Sequence, residues 1–139
     1  MKAAVFHGPH QPLTIEDVEI DAPGPHEVLV RTAATGVCHS DLHFVEGLYP
    51  APAPAILGHE AAGIVEQVGE LVSYVAPGDH VIACLSVFCG HCERCLTGHP
   101  SLCTNPETRR GKNEPPKLSQ GGVPITQMFN ISSYAEKML

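Results

Sequence analysis

The stretch Gly63-Ile64-Val65-Glu66-Gln67-Val68-Gly69 alternates in the way that is typical of a short β-strand, and a glycine bounds it on each side. The turn sequence Ala76-Pro77-Gly78-Asp79 follows, and a second apolar run, His80-Val81-Ile82-Ala83, comes directly after it. Short apolar runs that are separated by proline and glycine turns favour a β-domain over a helical bundle. This part of the chain therefore predicts an all-β, or mainly β, fold.

The same pattern of short runs and turns continues on both sides of this stretch. It predicts strands over residues 1–6, 13–18, 27–37 and 132–139, the last of them cut off at its start. Ser40 or Asp41 could cap a short helix over residues 40–46. Residues 47–55 and 104–127 are rich in turn-forming residues and are predicted as loops. A total of about five to seven short strands predicts a small β-barrel or sandwich.

Composition is typical of one globular domain, because 139 residues with 43% hydrophobic and 17% charged side chains leave no room for a second domain of ordinary size. The net charge of −7 argues against nucleic acid as a partner. The one cationic run, Arg109, Arg110 and Lys112, is interpreted as a solvated turn. No apolar stretch approaches the roughly 20 residues of a membrane span. The N-terminus has no signal-peptide core, so we expect a cytoplasmic protein.

Four of the six cysteines lie close together, in Cys89-Gly90-His91-Cys92-Glu93-Arg94-Cys95 and then at Cys103. Two-residue gaps let consecutive thiolates turn inward on one tight loop, and a fourth thiolate closes the tetrahedron that a structural zinc site needs. An iron–sulfur cluster is the main alternative, because closely spaced cysteines also ligate such clusters. Reactive thiols and disulfides are the remaining alternatives. Zinc here would order a loop that holds little apolar material.

A second cluster combines Cys38-His39-Ser40-Asp41-Leu42-His43 with Gly58-His59-Glu60. Cys38 and His59 are candidate metal ligands, with acidic residues beside both. A catalytic zinc takes about three protein ligands and keeps one position open, and carboxylates behind the ligands orient the histidines. The spacing alone leaves open the alternative that Cys38 is a small buried hydrophobe and His59 a surface residue.

Read in order along the chain, these motifs resemble the zinc-dependent medium-chain alcohol dehydrogenases. The resemblance covers essentially the whole chain and rests on the following segments: residues 36–41, Gly58-His59-Glu60-Ala61-Ala62-Gly63-Ile64-Val65, Pro77-Gly78-Asp79-His80-Val81 and the four-cysteine loop. It implies a GroES-like barrel with short helices and a zinc-binding lobe, which forms a catalytic domain over residues 1–139. It also implies an enzyme that interconverts alcohols and aldehydes or ketones by hydride transfer with NAD or NADP.

The resemblance also implies which residues would hold a catalytic zinc ion. Cys38 and His59 would be its ligands, Asp41 would hold the imidazole of His59 in place, and Glu60 would lie beside the metal. Such an ion acts as a Lewis acid and lowers the pKa of an alcohol.

Further roles that the resemblance implies concern substrate and cofactor. Ser40 would bond the substrate alcohol and His43 would pass its proton to solvent, since histidine titrates near neutral pH. His39 would face the cofactor pyrophosphate, although a solvated loop histidine is the alternative. Tyr49, Leu85 and Tyr134 would line the substrate pocket, and each could instead be a core residue.

Two features of the family are missing from this chain. The family's third zinc ligand is a cysteine that comes well after residue 139, and Cys84 stands where the family places no catalytic ligand. No Gly-x-Gly-x-x-Gly follows a strand, so no dinucleotide-binding unit is predicted. We therefore expect a catalytic domain cut from a longer, homodimeric or homotetrameric enzyme, inactive by itself. We also expect the four-cysteine zinc to persist while the Cys38/His59 site stays empty, weak or occupied by adventitious metal.

Two other functions compete with a dehydrogenase that acts on small-molecule alcohols and aldehydes. One is a non-enzymatic zinc-knuckle binding module, and the other is a structural or chaperone-like barrel, which leaves the metal motifs unexplained. The negative charge and the presence of Ser40, His43 and Glu60 favour the enzyme, with neither nucleic acid nor membrane as a partner. Residues 104–127 are more similar to the alcohol and thiol-adduct branch of the family than to the polyol branch.

Overall fold

The computed structural model describes residues 1–108, 110–111 and 114–139. They divide into two compact units, which we call the sheet unit (residues 1–83 and 116–139) and the cysteine lobe (residues 84–115). Arg109 and Lys112 of the predicted cationic turn lie outside the described residues, whereas Arg110 lies 3.8 Å from a carboxylate oxygen of Glu114. Within the described ranges, no helix combines the length and the apolar character that crossing a bilayer requires.

The sheet unit consists mainly of short strands, as the alternating runs and turns predict. One helix of seven residues, α1 (His39–Val45), interrupts them. The strands are β1 (Lys2–Phe6), β2 (Thr14–Asp17), β3 (Glu19–Ile20), β4 (Val28–Thr35), β5 (Ala55–Ile56), β6 (Ala61–Val68), β7 (His80–Ile82), β8 (Leu118–Gln120), β9 (Val123–Gln127) and β10 (Lys137–Met138).

These strands form two sheets. The larger has the order β2-β1-β5-β9-β8-β3, in which only the β5–β9 pair is parallel. The smaller has the order β10-β4-β6-β7 and is antiparallel throughout. An isolated bridge between Ala3 and Ala135 links the strand β1 to the segment that leads into β10. Shifts in register between β4 and β6 mark bulges, which bend a sheet.

Buried strand residues form the core, and their alternation is clearest in β6, where Ala61, Gly63 and Val65 are buried. Three clusters of buried apolar side chains fill the sheet unit, and Tyr134 packs against two of them. The largest apolar side chains that are fully buried are those of Val5, Phe6, Ile56, Leu57, Val65, Leu118 and Ile125. Burying a side chain of this size stabilises a fold by about 1.5–3 kcal/mol, so these positions hold the sheets around the site described below.

The cysteine lobe contains little regular structure. Its elements are the one-turn helix α2 (Glu93–Leu96) and 3₁₀ turns at Pro100–Leu102 and Pro106–Thr108. None of its described hydrophobic side chains is fully buried. This agrees with the expectation that apolar packing alone does not order the lobe.

The strands predicted around residues 1–6, 13–18, 27–37, 63–69 and 80–83 and the helix predicted over 40–46 are confirmed. The predicted number of strands is too low, because ten occur in the described part of the chain. Residues 104–127 are not one long loop, since β8 and β9 form a hairpin there. Its turn is Gly121-Gly122, whose φ angles of 56° and 80° suit a tight hairpin turn. The predicted C-terminal strand over 132–139 shrinks to Lys137–Met138.

Candidate metal centres

The register of β4 against β6 brings the two halves of the second cluster together. Thr35 near the end of β4 pairs with Ala61 at the start of β6. The residues that follow β4 therefore meet the residues that precede β6, and the backbone N–H of Gly36 donates to the carbonyl of Glu60 at 2.7 Å. This juxtaposition places Cys38 beside the Gly58-His59-Glu60 segment.

Cys38, His59 and Glu60 form a compact set of metal donors. Each offers one ligand atom, and the three atoms lie within 4.8 Å of one another. His59 is only 7% exposed, so the alternative that it is a surface residue is wrong, whereas Cys38 is half-buried and Glu60 is exposed. A thiolate, an imidazole and a carboxylate are all ligands that zinc accepts. The residues present therefore fit a zinc ion.

Asp41 lies behind this set and is 3% exposed. Its Oδ1 accepts a hydrogen bond from the backbone N–H of Gly58 at 3.0 Å. Its Oδ2 accepts one from the hydroxyl of Tyr134 at 3.2 Å and lies 3.3 Å from Nδ1 of His59. The contact with His59 is close enough for an ion pair but lacks hydrogen-bond angles, so Nδ1 is buried without a hydrogen-bond partner among the described residues.

The predicted helix cap is wrong in its detail. Cys38, not Ser40 or Asp41, precedes the first helical residue, with extended angles of φ −92° and ψ 147° and no side-chain capping bond. The carboxylate of Asp41 is turned toward Gly58 instead of the helix N-terminus. The buried carboxylate thus orients the Gly58-His59 segment and does not cap the helix.

Gly58 is the one position in this segment where only glycine fits. Its φ is +92°, and a Cβ atom there would lie 2.5 Å from Oγ of Ser133 and 2.8 Å from the backbone nitrogen of Tyr134. The close approach lets Ser133 donate its N–H to the carbonyl of Gly58 at 3.1 Å. The backbone at residues 133–134 is therefore fixed directly against the residue that precedes His59.

Tyr134 is half-buried, and its hydroxyl stays protonated far into the alkaline range. Burial raises the pKa of Tyr134 to about 12, and the charge of Asp41 and the hydrogen bond to it add to the rise. The charge of Cys38 acts in the same direction, while the backbone N–H of Cys38 acts against it. The hydroxyl is therefore a donor to Asp41 at neutral pH.

The other predicted site residues on α1 lie near one another. The rings of His39 and His43 have centroids 4.7 Å apart, and Tyr49 meets His43 edge-on at 4.9 Å. Nδ1 of His43 is buried without a hydrogen-bond partner among the described residues. Ser40 is half-buried in the first turn, and His39 is exposed.

The three predicted pocket residues differ in their surroundings. Tyr49 is 48% exposed and Leu85 is 46% exposed, so neither is a core residue. Leu85 belongs to the cysteine lobe, as does Cys84, an exposed thiol that donates to the carbonyl of Ser86 at 3.7 Å. Tyr134 packs on the core of the sheet unit.

Phe129 contacts the site, although no sequence motif pointed to it. Its ring meets the ring of His59 edge-on, with the centroids 5.1 Å apart. Its φ is +54°, and Asn130 and Ser132 also have positive φ, a conformation that non-glycine residues adopt rarely. Only Asn130 gives a weak signal for this backbone, because asparagine tolerates positive φ, whereas Phe129 and Ser132 give none.

The four cysteines of the lobe converge as their spacing predicts. The ligand atoms of Cys89, Cys92, Cys95 and Cys103 all lie within 4.8 Å of one another. Three of the sulfur–sulfur distances are 3.5, 3.8 and 3.9 Å. Four thiolates at about 2.3 Å from one zinc ion would lie about 3.8 Å apart at the corners of a tetrahedron. The set therefore fits zinc, and these separations are far above the roughly 2.05 Å of a disulfide bond.

Backbone hydrogen bonds and burial shift the pKa values of the lobe cysteines in different directions. The N–H groups of Cys95 and Thr104 lower the pKa of Cys92 to about 6, whereas burial raises the pKa of Cys95 to about 11. Burial also acts to raise the pKa of Cys89, but the backbone N–H groups of His91 and Cys92 outweigh it and the pKa is lowered. Hydrogen bonds of this kind favour the thiolate, which is the form that binds metal.

The chain matches one family model, described as the alcohol dehydrogenase GroES-like domain, over residues 24–137. It is 41% identical to S-(hydroxymethyl)glutathione dehydrogenase of Haemophilus influenzae in an alignment 140 positions long, which covers 97% of this chain and 37% of that protein. It is 37% identical to the NDMA-dependent alcohol dehydrogenase of Amycolatopsis methanolica in an alignment 139 positions long, which covers 98% of this chain and 38% of that protein. The chain thus spans little more than a third of the length of these relatives.

Solved structures give the same result. An alcohol dehydrogenase zinc-binding domain protein from Burkholderia ambifaria matches with a TM-score of 0.80 at 38% identity, over 99% of this chain and 38% of that chain. Benzyl alcohol dehydrogenase from Acinetobacter calcoaceticus matches with a TM-score of 0.76 at 33% identity, over 99% of this chain and 38% of that chain. The chain thus shares its fold with part of each of these structures.

Proposed function

This chain belongs to the alcohol dehydrogenase GroES-like domain family, and on that premise we propose that it is the catalytic-domain portion of a zinc-dependent alcohol dehydrogenase. The membership confirms the predicted resemblance and the mainly β, GroES-like fold. The proposed reaction interconverts alcohols and aldehydes or ketones by hydride transfer with NAD or NADP. The relatives named for S-(hydroxymethyl)glutathione and for alcohols support a substrate in the alcohol or thiol-adduct class.

The observation that carries this proposal is the convergence of the Cys38, His59 and Glu60 donors within 4.8 Å, with a buried carboxylate behind them. Cys38 and His59 would hold the metal, and Glu60 would lie beside it. Asp41 would keep the imidazole of His59 oriented from behind. Zinc bound there would supply Lewis acidity, which lowers the pKa of a substrate hydroxyl.

Proton movement would run through α1. Ser40 would accept the hydrogen bond of the substrate hydroxyl, and His43 would carry the proton to solvent. In support of this role, Nδ1 of His43 makes no hydrogen bond within the described part of the chain, so this nitrogen is available to a neighbouring hydroxyl. His39, exposed at the start of α1, would face the pyrophosphate of the cofactor, and the nicotinamide would supply the hydride chemistry.

In the cysteine lobe we propose a structural zinc held by Cys89, Cys92, Cys95 and Cys103. The site would be closed, because four thiolates fill a tetrahedral coordination sphere and leave no position for substrate. Its effect would be to order residues 84–115, whose described side chains bury little apolar surface.

Metal binding to the chain tests the proposal without relying on activity. With the lobe first filled with zinc, we expect excess Co(II) to bind weakly at the second site with thiolate absorption, and we expect Cys38→Ser and His59→Ala to reduce that binding strongly further. Cys84→Ser is the matched control, because that thiol is exposed and lies outside both donor sets. Equal Co(II) binding by Cys38→Ser and the wild type would contradict the proposal.

By itself the chain is expected to oxidise no alcohol with NAD⁺ or NADP⁺, and steady NADH or NADPH formation would refute that expectation.

A further inference from the structure

Tyr134 makes a contact that a residue lining a pocket does not need. Its ring packs against two core clusters of the sheet unit, while its hydroxyl donates to Oδ2 of Asp41 at 3.2 Å. The same oxygen lies 3.3 Å from Nδ1 of His59. The hydroxyl and the imidazole thus meet at one carboxylate oxygen.

Each oxygen of the Asp41 carboxylate accepts a hydrogen bond, which fixes its orientation. Gly58 donates its N–H to Oδ1, and Tyr134 donates its hydroxyl to Oδ2. Since Asp41 is almost fully buried, these donors replace the water that an exposed carboxylate would bind. Without the hydroxyl of Tyr134, the carboxylate keeps one donor and gains freedom to rotate away from His59.

The backbone that carries Tyr134 is tied to the strand that leads to His59. Tyr134 donates its N–H to the carbonyl of Leu57 at 3.1 Å, and the hydroxyl of Ser132 donates to the carbonyl of Ile56 at 2.8 Å. Oγ of Ser133 lies 2.7 Å from Oγ1 of Thr35, next to the end of β4. The hydroxyl of Tyr134 therefore has a fixed position relative to the backbone on both sides of the site.

We propose that Tyr134 is a positioning residue, whose hydroxyl holds Asp41 in the orientation that presents Oδ2 to Nδ1 of His59 and thereby fixes the imidazole for metal binding. This inference rests on the proposed function of His59 as a metal ligand. It adds to the predicted lining role of Tyr134, because it concerns the hydroxyl, which is engaged with Asp41.

Tyr134→Phe tests the proposal, because it removes the hydroxyl and keeps the packed ring. Tyr74→Phe is the matched control, since Tyr74 is 78% exposed and lies outside the site. With the lobe filled with zinc, we expect Tyr134→Phe to weaken Co(II) binding at the Cys38/His59 site about tenfold or more, the usual effect of losing a group that orients a ligand. Tyr74→Phe should leave it unchanged. A Tyr134→Phe variant that is less stable but binds Co(II) as the wild type does would show a merely structural role and overturn the proposal.

A second measurement separates this inference from the function it rests on. Nitrogen-15 NMR of the metal-free chain reports the state of the His59 ring, and Tyr134→Phe should shift its Nδ1 resonance while Tyr74→Phe should not. If Cys38→Ser and the wild type bind Co(II) equally, the proposed metal site is wrong. The resonance still tests whether Tyr134 acts on His59 through Asp41. Should Tyr134→Phe not fold, Tyr134→3-fluorotyrosine, which keeps the hydroxyl and makes it a stronger donor, should shift the same resonance. An unshifted resonance in whichever variant folds would refute the positioning role.

Discussion

Oδ2 of Asp41 lies 3.3 Å from Nδ1 of His59, and both side chains are almost completely buried. The two residues come from different parts of the chain, one in the first turn of α1 and the other just before β6. Because a buried charge is costly unless it is paired, this contact links the stability of the sheet unit to the geometry of its candidate metal site.

Removal of the Asp41 carboxylate should be strongly destabilising. Asp41→Ala leaves the N–H of Gly58 and the hydroxyl of Tyr134 without their acceptor, and it removes the carboxylate that lies 3.3 Å from Nδ1 of His59. We expect a loss of about 3 kcal/mol in the free energy of unfolding, measured by urea denaturation. Asp79→Ala is the control, because Asp79 also accepts a backbone N–H but is exposed, and it should cost about 1 kcal/mol or less. Equal losses for the two variants would mean that burial of Asp41 has no energetic role.

Gly58→Ala should be far more costly than the same change at Gly78. Both residues have positive φ, of 92° and 99°, so each alanine pays a conformational cost of about 1–2 kcal/mol. A Cβ at Gly58 also collides with Ser133 and Tyr134, whereas nothing lies within 4 Å of a Cβ at Gly78. The steric clash should lower the free energy of unfolding of Gly58→Ala by a further amount of about 1–3 kcal/mol. Urea denaturation curves of the two variants measure the difference. Matching curves would count against the close packing of residues 133–134 on Gly58.

Loss of metal should loosen the cysteine lobe without unfolding the sheets. We expect a strong chelator, or Cys92→Ser, to raise amide hydrogen exchange across residues 84–115 while β1, β4 and β6 keep their protection. Mass spectrometry of peptides from the two units measures this directly, with Cys84→Ser as the control. Unchanged exchange in the lobe after chelation would mean that metal does not order it.

Acid should weaken the fold through Glu16. The hydroxyl of Thr14, followed by the side chains of His7 and Gln120, lowers the pKa of Glu16 from 4.5 to about 2. A carboxylate whose pKa is depressed in the folded state stabilises that state above its unfolded pKa, and this contribution is lost as the pH falls toward 2. Between pH 4.5 and about 2, the urea midpoint should therefore fall more for the wild type than for Glu16→Gln. Parallel pH dependence in the two proteins would refute the assignment.

Much of the fold could be predicted because its signals are local. The alternation at residues 63–69 and the turn at residues 76–79 identify β6, β7 and the tight turn between them. The hairpin of β8 and β9 escaped prediction because its strands are short and Pro124 lies within one of them. Its apolar residues, Leu118 and Ile125, are recognisable as core only when the other strands are in place.

The site was predictable to the extent that its residues lie in dense sequence motifs. Cys38, His59 and Glu60 do converge as the two motifs suggest. The hydroxyl of Tyr134 reaches an aspartate 93 positions away, and no local pattern carries information about such a contact. The contact of Phe129 with His59 was not predicted for a related reason. It depends on a left-handed backbone at Phe129, a conformation that a phenylalanine does not predict.

The order of the elements along the chain has an entropic consequence. β7 ends at Ile82 and β8 begins at Leu118, so the whole lobe lies between them in the chain. The strands after the lobe pair with strands before it: β8 with β3, β9 with β5 and β10 with β4. Bringing distant segments together costs entropy that grows with the length of the intervening chain. An ion that gathers the four thiolates would shorten that detour and so lower the entropic cost of completing both sheets.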